Sequence, residues 1–260
     1  VIIVNILCYK NMELPKVKIP AEHKDPKYLI MFGLPKVGKT TIVAQLPKCL
    51  IVDLEKGSTY VEAYKVKASN YVELFEIAKA LRANPGQYNF VALDTVTALE
   101  DIALPYANKL YRNTPMGVNF DPKENILKLP NGAGYLYFRQ AMEEIIGWFT
   151  NAVQNVILIG HVKEKSLNEK GTEMNVIDLD VTGKMGRILS SLSDAICYVY
   201  RDPETNELYA NFGTSASVLS GSRLDNLSGQ TILLSKKEKD GTIKTYWENI
   251  YPSLKDNKKE

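Results

Sequence analysis

Four short apolar runs, each closed by a glycine or a polar residue, set the frame of this sequence. Tyr28 to Phe32 ends at Gly33, Cys49 to Val52 ends in Asp53-Leu54-Glu55, Asn89 to Leu93 ends in Asp94-Thr95, and Asn155 to Gly160 ends at His161. Apolar runs of this length bounded by turn residues read as buried strands. Helical spacing recurs between them. Lys39 to Gln45 opens a helix closed by Pro47. Val72, Leu74, Phe75, Ala78 and Leu81 have helical spacing before the stop at Asn84-Pro85-Gly86, and similar patterns cover about 97–111 and 135–153. Alternating strands and helices predict an α/β fold with a mostly parallel sheet flanked by helices. The texture changes after residue 194. Ala195 to Arg201, Leu208 to Phe212, Thr231 to Ser235 and Ile243 to Ile250 are β-rich, with Asp240-Gly241 as a hairpin turn. These predict an antiparallel β extension at the C-terminal end. The division is a lead-in over 1–27, one α/β domain over 28–252, and a charged, frayed tail over 253–260.

Composition narrows the class of protein. The 260 residues are 45% hydrophobic and 24% charged, which excludes disorder over most of the chain. No apolar run approaches the ~18 residues of a membrane span. A net charge of +2 gives no global field toward nucleic acid or membrane, so any such affinity rests on local patches. Cys8, Cys49 and Cys197 are scattered, and the two histidines are His23 and His161. That argues against a disulfide framework or a Cys/His zinc site and fits a reducing, cytoplasmic compartment. The apolar opening Val1 to Leu7 has no basic flank; it reads as an edge strand or as translation upstream of a start at Met12.

The chemistry is carried by Gly33-Leu34-Pro35-Lys36-Val37-Gly38-Lys39-Thr40-Thr41, which satisfies G-x-x-x-x-G-K-[ST] at every fixed position. The motif follows an apolar strand and opens a helix, as its mechanism requires. Glycines at 33 and 38 let the chain turn and bring backbone N–H groups to phosphate oxygens. The helix dipole faces the same anion. Lys39 reaches the β- and γ-phosphates, and the Thr40 hydroxyl is a Mg²⁺ ligand. A nucleoside triphosphate with Mg²⁺ is therefore the expected ligand, and the P-loop alone does not separate kinases, GTPases and ATPases. Ligands of open α/β sheets bind at the carboxyl ends of the strands, so the other strand ends supply the remaining candidates. Asp94 is the expected metal-binding acid, Asp53 a support of the metal shell, Glu55 the base that activates water, and His161 a γ-phosphate sensor.

The P-loop, Leu50-Ile-Val-Asp53-Leu-Glu55 and Phe90-Val-Ala-Leu-Asp94-Thr-Val-Thr-Ala-Leu99 resemble the RecA-like ATPases. With Ile157 to Glu164, the order of elements is similar to phage-encoded RecA-like NTP-binding proteins, some of which act in single-strand annealing and recombination. The resemblance spans roughly 28–235. It implies a RecA-like P-loop NTPase core, hydrolysis with Glu55 as catalytic glutamate, and His161 at the sensor position, where RecA itself has glutamine. It implies action on single-stranded DNA and self-association into a ring or filament, in the cytoplasm of the host cell.

Two segments correspond to the mobile DNA-facing loops of such folds, about 113–134 and 162–186. The first carries Lys123, Lys128 and Asn131-Gly132-Ala133-Gly134. The second carries Lys163, Lys165, Lys170, Lys184 and Arg187 among glycines, diluted by Glu164, Glu169, Glu173, Asp178 and Asp180. Lysines release counterions from phosphate, and Tyr135 and Tyr137 offer rings for base stacking. RecA-like sites lie between subunits, so a neighbour supplies positive charge to the γ-phosphate; the expected source is Arg223, in the Gly/Ser-rich stretch 220–224, with Arg187 second. Two alternatives stay open: an ATP-gated single-strand-binding module with vestigial hydrolysis, and a P-loop small-molecule kinase. The chain has 26 lysines and six arginines, with no arginine cluster that would form a kinase lid.

Overall fold

The computed structural model describes residues 14, 16–20, 24–169 and 172–256. Val1 to Leu7, Cys8, His23, Lys170, Gly171 and the end of the tail lie outside the described residues. The elements run β1 (Tyr28–Gly33), α1 (Lys39–Val43), β2 (Cys49–Asp53), β3 (Tyr64–Lys67), α2 (Tyr71–Ala83), β4 (Phe90–Asp94), α3 (Val96–Arg112), α4 (Ala133–Thr150), β5 (Asn155–Glu169), β6 (Thr172–Leu179), α5 (Met185–Leu192), β7 (Ala195–Arg201), β8 (Leu208–Asn211), β9 (Gly221–Ser222), β10 (Thr231–Lys237), β11 (Ile243–Thr245) and α6 (Ser253–Asp256).

One sheet organises the molecule, in the order β11-β10-β8-β7-β1-β5-β4-β2-β3, with β6 on β5 and β9 on β7. From β7 to β3 every pairing is parallel; β8, β10 and β11 extend the sheet antiparallel. The expected fold class is therefore observed. Strands buried on both faces explain the near-continuous apolar runs. In β1, Tyr28, Ile30 and Phe32 pack into the core under α2, α3, α4 and α5. Leu29 and Met31 pack into the second core, with Ile42 and Val43 of α1 and with Trp247, Ile250 and Tyr251 of the C-terminal segment. The Trp247 indole N–H donates to the Ile42 carbonyl at 2.9 Å, so residues 205 apart in sequence tie the C-terminal segment to α1.

Several segments differ from the sequence expectation. The strand begun at Asn155 does not stop at Gly160. It continues to Glu169 and returns as β6, so the stretch read as a loop over 162–186 is a β-hairpin followed by α5. The polar composition of this stretch resembles a loop and conceals the strand pairing. The stretch 113–132 contains turns and short 3₁₀ segments at Ile126–Lys128 and Pro130–Gly132. The β-rich stretch 243–250 is a strand only to Thr245, after which Trp247–Asn249 forms a 3₁₀ turn. At the tail, Ser253–Asp256 is helical and the Ser253 amide donates to Asp25 at 3.3 Å. Among the described residues, no helix is long and apolar enough to cross a membrane.

Candidate functional site: a phosphate-binding loop facing three carboxylates

The loop between β1 and α1 needs glycine at two places. A Cβ on Gly33 would stand 2.3 Å from the Val199 carbonyl oxygen of the neighbouring β7, and Gly38 has φ +111°, a region that L side chains rarely adopt. Gly38 stands at the N-terminus of α1 and has no side-chain cap, leaving the first-turn N–H groups facing the cleft.

The parallel register aligns the ends of β1, β5, β4 and β2 along one edge: Gly33 opposite His161, Asp94 opposite Ile159, and Asp53 opposite Asp94. Pro35, Lys36, Gly38, Lys39, Thr40, Thr41, Asp53, Glu55, Asp94 and His161 consequently line one cleft of about 440 Å³, together with Gly57, Val61 and Thr95. A larger groove, about 750 Å³, lies at the opposite end of the sheet around Lys27, Asn155 and Ser253. The phosphate loop and the strand-end acids do not line it, so the chemistry belongs to the smaller cleft.

Lys39 is almost fully buried, and its ammonium donates to the carbonyls of Gly33 at 2.8 Å and Leu34 at 2.9 Å. Burial pulls its pKa down to about 8, against the opposing pull of the Asp94 and Glu55 carboxylates. The Thr40 hydroxyl donates to Asp94 Oδ2 at 2.7 Å. Burial raises the Asp94 pKa. The Thr40 bond and Lys39 oppose that rise, and repulsion from Glu55 and Asp53 adds to it. Glu55 accepts a hydrogen bond from the Thr95 hydroxyl on one oxygen, and its other oxygen lies 3.4 Å from His161 Nε2. The Asp94–Thr95 peptide bond between these two pairs is cis.

Asp53, expected to support the metal shell, lines the cleft with both oxygens bonded to the turn that follows it. One oxygen accepts the Gly57 N–H at 3.1 Å, and the other accepts the Ser58 N–H and hydroxyl at 3.2 and 2.6 Å. Burial pushes its pKa up, but these bonds outweigh burial and hold it below the usual carboxylate range. Asp53 thus shapes the turn that carries Glu55.

Three carboxylates line this cleft with two lysines, Lys36 and Lys39, of which only Lys39 is buried, so the charge balance leaves room for a cation. Thr40 and Asp94 supply two adjacent hard oxygens. Among the described residues no three His, Cys, Asp or Glu side chains form a metal cage of their own. The Thr40–Asp94 pair is of the kind Mg²⁺ takes, one or two protein oxygens with the shell completed by phosphate oxygens and water.

Arg223 is not brought to this cleft. It follows β9, which pairs with the start of β7 at the other end of the sheet, and its guanidinium donates to the Ser191 carbonyl. The stretch expected as a projecting loop is partly a short strand. Sequence reading assigns no role to Gly57, Val61 and Thr95 at the cleft or to Arg201 beside the P-loop. Thr95 follows Asp94 directly, so a signal existed. Arg201, whose guanidinium touches the P-loop, becomes visible only once β7 is known to lie beside β1.

No curated protein matches the sequence. The chain is similar to the protein in the "Crystal structure of the RadB recombinase", with 13% sequence identity, 85% of this chain and 92% of that chain covered, and a TM-score of 0.47. The AAA domain family matches residues 25–224, and the chain, with its P-loop inside that span, belongs to this family of P-loop ATPases.

Proposed function

We propose that this chain is a Mg²⁺-dependent ATPase of the RecA-like type that acts on single-stranded DNA in recombination or annealing. The observation that carries the ATPase reading is the division of the cleft into two sides. Lys39, Thr40 and Asp94 stand on the phosphate and metal side. Glu55, held between Thr95 and His161, stands across from them. ATP binding draws Lys39 off the Gly33 and Leu34 carbonyls toward the β- and γ-phosphates. Mg²⁺, when bound, neutralises charge on the phosphates. Glu55 accepts a proton from water as the water oxygen bonds to the γ-phosphorus and the bond to the β-phosphate oxygen breaks, releasing ADP and phosphate. The Thr95 and His161 contacts orient Glu55 and leave its carboxylate with further lone pairs for a water.

The DNA part rests on the resemblance and on placement. His161 begins the segment that continues unbroken into the β5–β6 hairpin, so a ligand on the hairpin is connected by one strand to the Glu55 contact. Self-association follows from the same reading. A neighbour's Arg223 is the proposed source of γ-phosphate charge, since this chain's own Arg223 lies at the far end of the sheet.

The test is phosphate release from ATP with and without single-stranded DNA at two salt concentrations. Release that rises with DNA, less so at high salt, is expected. Absence of phosphate release would refute the ATPase. Release indifferent to DNA, with no DNA binding, would refute the DNA role and leave the ATPase standing.

A further inference from the structure

Arg201, the last residue of β7, bridges two backbone segments. Its Nε donates to the Val37 carbonyl at the apex of the P-loop at 2.9 Å, and its Nη1 donates to the Asn206 carbonyl at 2.8 Å. Its Nη2 lies 2.8 Å from where a Gly38 Cβ would stand, and makes no hydrogen bond among the described residues.

The Asn206 end of the bridge is itself held firmly. Asp202 Oδ1 accepts the N–H groups of Glu204 and Thr205 at 3.0 and 2.8 Å and the Thr205 hydroxyl at 3.0 Å. The Asn206 amide closes on the Asp202 carbonyl at 2.9 Å, with Asn206 in the left-handed region at φ 58°. The β7–β8 turn is therefore a preformed anchor, and the guanidinium fork joins it to the loop.

The consequence for the loop follows from the planar trans peptide. In a trans unit the C=O and the following N–H point in opposite directions. Turning the Val37 carbonyl toward Arg201 turns the Gly38 N–H the other way, and that N–H has no acceptor among the described residues.

We propose that Arg201 is a positioning residue for nucleotide binding: by pinning the Val37 carbonyl to the β7–β8 turn it holds the Gly38 N–H toward the phosphates. A planar fork that satisfies two carbonyls at once is a task for arginine. Lysine, a point charge on a flexible stem, cannot reproduce it. The proposal rests on the nucleotide-binding reading and adds a residue that the P-loop signature does not contain.

The experiment compares Arg201→Ala and Arg201→Lys with the unaltered chain in three readouts: equilibrium binding of fluorescent ADP, KM and kcat for ATP, and the melting temperature without nucleotide. Losing the pin should raise the ADP dissociation constant and KM about tenfold in Arg201→Ala, with kcat within about threefold. Because Arg201 is exposed, the melting temperature should stay within about 2 °C. Arg201→Lys should fall between the two. ADP affinity in Arg201→Ala equal to that of the unaltered chain would overturn the proposal. So would a fall in kcat at constant KM, which would put Arg201 on the reacting atoms, or full rescue by lysine, which would make charge rather than the fork responsible. If the unaltered chain bound no ADP, the nucleotide reading itself would fail, an outcome distinct from these.

Discussion

Lys39 sits in a position that is costly without its ligand. The ammonium is removed from water and held by two loop carbonyls, which accept its hydrogen bonds without neutralising its charge. Phosphate oxygens do both, so transfer of the ammonium from carbonyls to phosphate is a built-in gain on nucleotide binding. Lys39→Ala forfeits that gain. Its affinity for fluorescent ADP should fall about 10- to 100-fold, in keeping with loss of a charge-assisted hydrogen bond. Affinity equal to that of the unaltered chain would place the nucleotide elsewhere. Thr95 illustrates a subtler division of labour. Asp94 and Thr95 are neighbours in sequence, yet one side chain bonds Thr40 and the other bonds Glu55, so a single strand end holds both sides of the cleft.

At the scale of elements, the short helix α1 depends on distant parts of the chain. Five residues are too few to be stable alone. Ile42 and Val43 bury against the sheet, and Trp247 closes over them with its indole N–H on the Ile42 carbonyl. Trp247→Phe keeps an aromatic ring and removes one donor; the Ile42 carbonyl keeps the Gln45 N–H at 3.1 Å, so the loss is that of a single hydrogen bond, about 0.5–1.5 kcal/mol. Each kcal/mol lowers the melting temperature of a domain this size by about 2–4 °C. An unchanged melting temperature would show that the C-terminal segment does not support the loop helix. This dependence also marks what the sequence could tell. Four of the parallel strands, β1, β2, β4 and β5, were legible because each is a buried run ending in chemistry, and Lys39, Thr40, Asp94, Glu55 and His161 stand at those ends. In sequence β7 reads with the antiparallel extension, and its parallel pairing with β1 is set only by the folded sheet. The edge strand β3, Tyr64–Lys67, was not legible: its exposed and half-buried residues carry no apolar signal. Nor was the anchor at the foot of the hairpin, where the buried Glu100 of α3 accepts the Thr182 N–H at 2.9 and 3.0 Å and its hydroxyl at 2.9 Å. A glutamate within a helical pattern looks like solvated surface until its partner, 82 residues on, is folded beside it.

For the whole molecule the open proposals are assembly and catalysis. Arg223 lies across the sheet from its own cleft, so it can reach a γ-phosphate only in another copy. If it does, specific ATPase activity should rise with protein concentration. Mixing Arg223→Ala with Lys39→Ala should then restore part of the activity, because each variant lends the other an intact half of a shared site. Flat specific activity and no rescue would show a self-contained site. The central claim, that Glu55 activates water across the cleft from Lys39, Thr40 and Asp94, is tested most directly by steady-state phosphate release from ATP in Glu55→Gln at saturating nucleotide and Mg²⁺. The amide keeps the shape of the side chain and its contact with Thr95 but cannot take a proton. Phosphate release should fall about 10²–10⁴-fold relative to the unaltered chain. Release by Glu55→Gln at the unaltered rate would contradict the account.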